Sequence, residues 1–208
     1  MYWHDGGGGY LVTDTLATNP DGTPRSLVAK WSYLPHLDMV IAFTGIGDLG
    51  SAWAHRVQVG LLAVDIEMLD IHTPAALKDL SAELEERLGP LPEMTSTVYH
   101  FGPAESDGAV RGYAYRSEHD FASERLPLEM FGVKPHPVGD YKAPEDVDGI
   151  IDLAVQIRDE QDQVSMEDRI HIGGYLTMVS FGPDGAQAAR IHRFDDFDAD
   201  WIAMNDLL

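Results

Sequence analysis

The run Met39-Val40-Ile41-Ala42-Phe43-Thr44 is apolar at odd and even positions alike, so as a β-strand it must be covered on both faces. Gly45 and Gly47 end it, and the period of the sequence then changes. From Asp48 onward Leu49, Trp53, Val57, Leu61, Val64 and Met68 recur every three or four residues, which predicts one long amphipathic helix. A second helix is expected to start at Thr73-Pro74, a capping residue before a first-turn proline. It would carry a stripe of Leu77, Leu80, Leu84 and Leu88 and stop at Gly89-Pro90.

The other apolar runs are joined by turns, not by helical crossovers. Tyr10 to Leu16 reads as a strand, the cluster Asn19-Pro20-Asp21-Gly22-Thr23-Pro24 as a turn, and Ser26 to Tyr33 as the next strand. Thr95 to Phe101 and Ala109 to Tyr115 predict a hairpin across Asp107-Gly108, and Ile172 to Phe181 and Ala186 to His192 another across Pro183-Asp184-Gly185. Between the hairpins, an irregular stretch through Lys134-Pro135-His136-Pro137 precedes a helix from about Pro144 to Gln163, with Val147, Ile150, Ile151, Ala154 and Ile157 on one face. The acidic tail from Phe194 to Leu208, with Trp201 and Leu207 as its apolar handles, is either a short docked helix or a frayed end. Hairpin-linked strands alternating with helices argue for the α+β class. Strands apolar on both faces are satisfied by two packed, largely antiparallel sheets between helix layers, over a single domain spanning 1–208.

Composition narrows the partners. Against 35 acidic residues stand 14 Lys and Arg, a formal charge of −21, which repels nucleic-acid phosphates and anionic membranes. No stretch approaches the roughly 20 apolar residues of a membrane span, and there is no cysteine for disulfides, thiolate metal sites or a thiol nucleophile. The N-terminus has neither the basic region nor the apolar core of a signal peptide, so a cytoplasmic location is expected.

Two charged residues interrupt the β-like runs. Asp14 lies in Val12-Thr13-Asp14-Thr15 and Lys30, sixteen positions on, in Leu27-Val28-Ala29-Lys30-Trp31. Charge buried in strands is costly unless paired, so a contact between the two is expected, whether as a simple ion pair or as part of a site.

The order of elements, the Asp14 motif with Lys30 at its distance of sixteen, the glycines after Phe43-Thr44, and Ile172-Gly173-Gly174 with Asp184-Gly185 beyond it resemble the N-terminal nucleophile (Ntn) hydrolases, most of all proteasome β-type subunits. The stretch from Phe121 to Tyr141 fits least. The resemblance implies a four-layer αββα sandwich. It also implies hydrolysis of a peptide or small amide by an N-terminal Thr, Ser or Cys whose own α-amine takes the proton. Lys30 would favour the ionised nucleophile, Asp14 would hold Lys30, and Gly45 or Gly47 would supply an oxyanion N–H. No cofactor and no metal are implied, and a homo-oligomer is.

The sequence departs from that pattern at the nucleophile. In the family it lies about sixteen residues before the aspartate, which here falls ahead of Met1, and neither Met1 nor Tyr2 can replace it. Thr13, Thr15 and Thr18 lie in or just after the strand that carries Asp14, so cleavage before any of them would remove that strand. Either a short upstream segment ends in the nucleophile, or the chain is a catalytically silent, structural or oligomer-forming member of the fold.

Remaining motifs are weaker. Gly45-Ile46-Gly47-Asp48-Leu49-Gly50 satisfies G-x-G-x-x-G with Glu67 or Asp70 about twenty residues on, which leaves a remote dinucleotide-binding alternative. Gly6 to Gly9 reads as a flexible lead, and Ser51 as a first-turn helix serine. Ser117-Glu118-His119-Asp120 is either a solvated turn or a metal-ligand cluster. The four tryptophans are dispersed, as core and edge residues are.

Overall fold

The computed structural model describes residues 1–19, 21–60, 63–89, 91, 95–166 and 168–205; Pro20, Leu61, Pro90 and Leu207, invoked above, lie outside these. One sheet contains β1 (Tyr2–His4), β2 (Gly9–Asp14), β10 (Tyr175–Gly182) and β11 (Gly185–Arg193), in that spatial order. The other contains β5 (Trp31–Leu34), β6 (Met39–Thr44), β7 (Thr97–Pro103), β8 (Val110–Arg116) and β9 (Ser123–Arg125). A two-stranded ribbon, β3 (Leu16–Thr18) and β4 (Pro24–Leu27), joins them, and every strand pairing is antiparallel. The helices are α1 (Gly47–Gly60), α2 (Ile66–Leu88), α3 (Val147–Asp162) and α4 (Phe197–Asn205).

The double-sided apolar run of β6 accounts for the layering. Met39, Ile41 and Phe43 face α1 and α2, where Leu49, Trp53, Val57, Leu69 and Leu77 are buried, while Val40 and Ala42 face the other sheet. Between the sheets Val40 and Ala42 meet Leu11, Tyr99, Phe101, Val179 and Phe181. On the far side of the first sheet, Val12 and Leu176 pack against Ile150 and Ala154 of α3. The order helix, sheet, sheet, helix is the expected αββα sandwich, reached because alternate residues of β2, β6, β7 and β10 serve different layers.

The helical stripe after Asp48 belongs to two helices. α1 ends at Gly60 and α2 begins at Ile66, and two of the stripe residues, Val64 and Met68, are exposed, whereas Ile66 and Leu69 are fully buried. Asp65 caps α2: its Oδ1 accepts from the Met68 N–H at 2.8 Å and its Oδ2 from the Glu105 N–H at 2.9 Å. Pro74 therefore lies inside α2 and not at its start. A proline there removes one helical hydrogen bond and crowds the carbonyl four residues back, at a cost of about 3 kcal/mol. Burial of Ile66, Leu69, Thr73, Leu77, Leu80 and Leu84 along one face outweighs it. Gly89, at φ 87°, ends the helix as the sequence indicates.

The first strands also differ from expectation. Gly6 to Gly9 is no flexible lead: Asp5 Oδ1 accepts from the Gly7 and Gly8 N–H groups, and this turn returns the chain from β1 into β2 at Gly9. The Tyr10 to Leu16 run breaks at Thr15, and the Ser26 to Tyr33 run breaks at Val28 to Lys30. Both predicted hairpins are present, and the tail forms the docked α4. β6 is antiparallel to both of its neighbours, so the glycines after it do not open a βαβ unit and the dinucleotide-binding alternative loses its context.

Candidate functional site

Both strand breaks serve one contact. Asp14 ends β2, Lys30 sits in the bend before β5, and Lys30 Nζ donates to Asp14 Oδ1 at 2.7 Å. Asp14 Oδ2 accepts from the N–H groups of Leu16 and Gly173 at 3.1 and 3.3 Å, so both carboxylate oxygens are engaged. The side chains are 20% and 14% exposed for Lys30 and Asp14, sheltered enough to gain from pairing yet still in reach of solvent.

Two further segments converge on this pair. The Lys30 carbonyl accepts from the Phe43 N–H at 3.0 Å, which places Lys30 beside the end of β6 and two residues from Gly45. Gly173 closes over the start of β3 by accepting from the N–H groups of Thr15 and Leu16, and the Tyr175 N–H donates to Thr15 Oγ1 at 2.9 Å. Gly174 is in the left-handed region at φ 75°, and a Cβ there would lie 2.4 Å from Thr15 Oγ1. The Ile172-Gly173-Gly174 motif is thus a loop that locks onto Asp14 and Thr15, with β10 starting only at Tyr175.

The two candidate oxyanion glycines differ. Gly45, at φ 88°, is packed so closely that a Cβ would lie 2.3 Å from the Thr95 carbonyl oxygen, and the next N–H, that of Ile46, is taken by Ser96 Oγ at 3.0 Å. Gly47 has open space around it and lies in the first turn of α1, where N–H groups have no intrahelical acceptor. Of the two, Gly47 is unobstructed and Gly45 is held by close packing. Gly50, last of the G-x-G-x-x-G, is there for packing: a Cβ would fall 2.0 Å from Phe43 Cγ.

The Met1 amino group donates to the Val12 carbonyl at 2.9 Å, and burial pushes it down to about 6, partly offset by the nearby Asp14 carboxylate. The hydroxyls of Thr13 and Thr44, one before Asp14 and one before Gly45, are out of contact with solvent and have no hydrogen-bond partner among the described residues. The sequence marks Thr13 only as a cleavage point that would remove its own strand, and it does not single out Thr44, because a threonine near a strand end carries no distinguishing pattern.

It also passed over a cleft of about 340 Å³ beside the ion pair. Thr15, which follows Asp14, and Ala29 and Trp31, which flank Lys30, line one side, and Tyr175, Ala188 and Arg190 line the other. Only three-dimensional pairing brings residues so far apart in the chain together. Of the Ser117 to Asp120 cluster, Glu118, His119 and Asp120 are exposed, Asp120 pairs with Lys78 at 2.9 Å, and Ser117 Oγ accepts from the N–H of Ser96, the residue that packs on Gly45.

No protein-family model matches the chain, and no curated protein matches it. Among solved structures it is similar to Anbu (ancestral beta-subunit) from Yersinia bercovieri, with a TM-score of 0.57 at 13% identity over 99% of this chain and 91% of that one. Among the described residues no helix is long and apolar enough to cross a membrane. The likeness extends over nearly all of both chains and is one of fold: this chain carries a proteasome-like sandwich of antiparallel sheets between helices.

Proposed function

We propose that the protein is an Ntn-type amide hydrolase in which Asp14 and Lys30 form the electrostatic floor of the site and the nucleophile is carried upstream of Met1. The observation that supports this is the register of β1 on β2. Tyr2 pairs with Leu11, and Met1 exchanges both backbone hydrogen bonds with Val12, so each residue added before Met1 advances one position along β2. The third such residue, about sixteen before Asp14, comes level with Thr15, beside the ion pair and the cleft. A Thr, Ser or Cys there would have its oxygen or sulfur close to Lys30, whose charge favours the ionised form, and its own α-amine as base. A Gly47 N–H would face the developing oxyanion. Peptide or small amide substrates follow from that chemistry.

The test is to express the gene with its upstream codons, read the N-terminal sequence and intact mass of the product, and assay it on fluorogenic peptide amides. Material that begins with Thr, Ser or Cys and loses at least a hundredfold in turnover on Lys30→Ala supports the reading. Material that begins at Met1 and is inert on all substrates overturns it.

A second reading, a silent scaffold of the same fold, is favoured by the completeness of the Asp14 contacts. With Oδ1 on Lys30 and Oδ2 on two backbone N–H groups, Asp14 ties the end of β2 to the β4–β5 bend and the Gly173 loop, which is reason enough to keep the pair without chemistry.

A further inference from the structure

The cleft beside Asp14 and Lys30 opens between β11, the edge strand of its sheet, and the bend that carries Lys30. Its lining includes the apolar or hydroxylic Leu27, Val28, Trp31, Thr15 and Ala188, and none of the residues that line it is acidic. In a chain with a formal charge of −21 that is a local exception.

The one charge on its wall is Arg190. Its guanidinium carbon lies over the Tyr175 ring, 4.4 Å from the centroid, and the Tyr175 ring meets that of Phe197 at 4.7 Å between centroids. Among the described residues Arg190 has no ion-pair or hydrogen-bond partner, although its neighbour Arg193 pairs with Asp198. A guanidinium held over a ring by cation–π attraction and without a hydrogen-bond partner has its N–H fork available to a carboxylate, which fills it with two parallel hydrogen bonds. At about 340 Å³ the space is near the lower end of the roughly 300–1,000 Å³ of small-ligand sites, enough for one large apolar side chain with its flanking atoms.

We propose that this cleft binds an apolar acyl-amino acid or peptide end through its carboxylate, with the apolar side chain on Leu27, Val28 and Ala188 and the carboxylate on Arg190. The inference rests on the hydrolase reading for its meaning, since it makes the preferred substrate an amide with a nearby free carboxylate. Binding itself requires no turnover.

The whole chain is titrated calorimetrically with N-acetyl-phenylalanine and, separately, with N-acetyl-phenylalaninamide, which differ only in the carboxylate. The acid is expected to bind about tenfold tighter, as one charge-assisted bidentate contact provides. Arg190→Gln should remove that preference while leaving amide binding unchanged, and Ala188→Trp, which narrows the cleft, should weaken both ligands. Equal affinity for acid and amide in the unmodified chain, or a preference that survives Arg190→Gln with an unchanged melting temperature, overturns the proposal. So does loss of the cleft to a dimer that forms by pairing of two β11 edges, seen as a doubled mass in solution. Failure of the hydrolase reading shows separately, as absence of amide cleavage with the acid preference intact.

Discussion

Lys30 Nζ and Asp14 Oδ1, sixteen residues apart in the chain, are 2.7 Å apart in the structure, with the second Asp14 oxygen held by the N–H groups of Leu16 and Gly173. The pair joins three segments that no continuous strand connects. Its removal should therefore be felt as lost stability whether or not it catalyses anything. Lys30→Ala leaves a sheltered carboxylate without its cation and should cost about 1.5–3 kcal/mol, the range for a hydrogen bond to a charged group. In a double-mutant cycle with Asp14→Ala, urea unfolding should give a coupling energy of similar size, and additive costs would show that the contact carries no weight.

The loop that grips Asp14 gives a second test. Gly174 has a left-handed backbone, and its Cβ position is occupied by Thr15 Oγ1 and Leu27 Cδ2 at 2.4 and 2.8 Å. Gly174→Ala thus meets both a backbone penalty of about 1–2 kcal/mol and a collision with the wall of the cleft. A loss of at least about 2 kcal/mol is expected, measured by chemical unfolding. A variant as stable as the parent would show that the loop is free to move away.

The two oxyanion candidates should separate cleanly. Gly45→Ala meets the Thr95 carbonyl oxygen with an unfavourable φ, whereas Gly47→Ala meets nothing within 4 Å in a helical first turn. The first should lose about 2 kcal/mol or more and the second should stay within about 0.5 kcal/mol of the parent by thermal unfolding. Comparable losses at the two positions would contradict the crowding at Gly45 and the open space at Gly47.

What the sequence revealed and what it hid follow from the range of each signal. The β6 run, the α3 helix and the two late hairpins are local patterns, and the structure has all of them, although on α3 Val147 is exposed and Leu153 joins Ile150, Ala154 and Ile157 on the buried face. The contact between Asp14 and Lys30 was expected because buried charge demands a partner. The start of α2 was misplaced because Thr73-Pro74 imitates a cap, while the true cap, Asp65, is distinguished by a tertiary bond to the Glu105 N–H. β9, three exposed residues, has no apolar pattern of its own and forms by pairing with β8. The cleft was invisible because Thr15, Trp31 and Arg190 meet only once β2 and β10 have paired and the ribbon has brought the sheets together.

The helix-side core contains a pH liability that can be measured. His100 is fully buried on β7, and its Nε2 accepts from Trp53 Nε1–H at 2.8 Å, so the neutral ring carries its proton on Nδ1, which has no partner among the described residues. Burial drives its pKa from 6.5 down to about 3, since no carboxylate reaches the ring to favour the charged form. The folded state therefore keeps His100 neutral over a range in which the unfolded state binds a proton. Stability from this residue is complete above about pH 6.5 and is lost as pH falls towards 3, with a slope approaching ~1.4 kcal/mol per pH unit. His4, also buried and also shifted down by burial, adds in the same direction. Between pH 7.5 and 5.0 His100 alone should cost about 2 kcal/mol. His100→Gln retains an acceptor for Trp53 and does not titrate, so its urea midpoint should fall less over that interval by about that amount. An identical pH dependence in parent and variant would mean that the buried ring is not the source of the acid sensitivity.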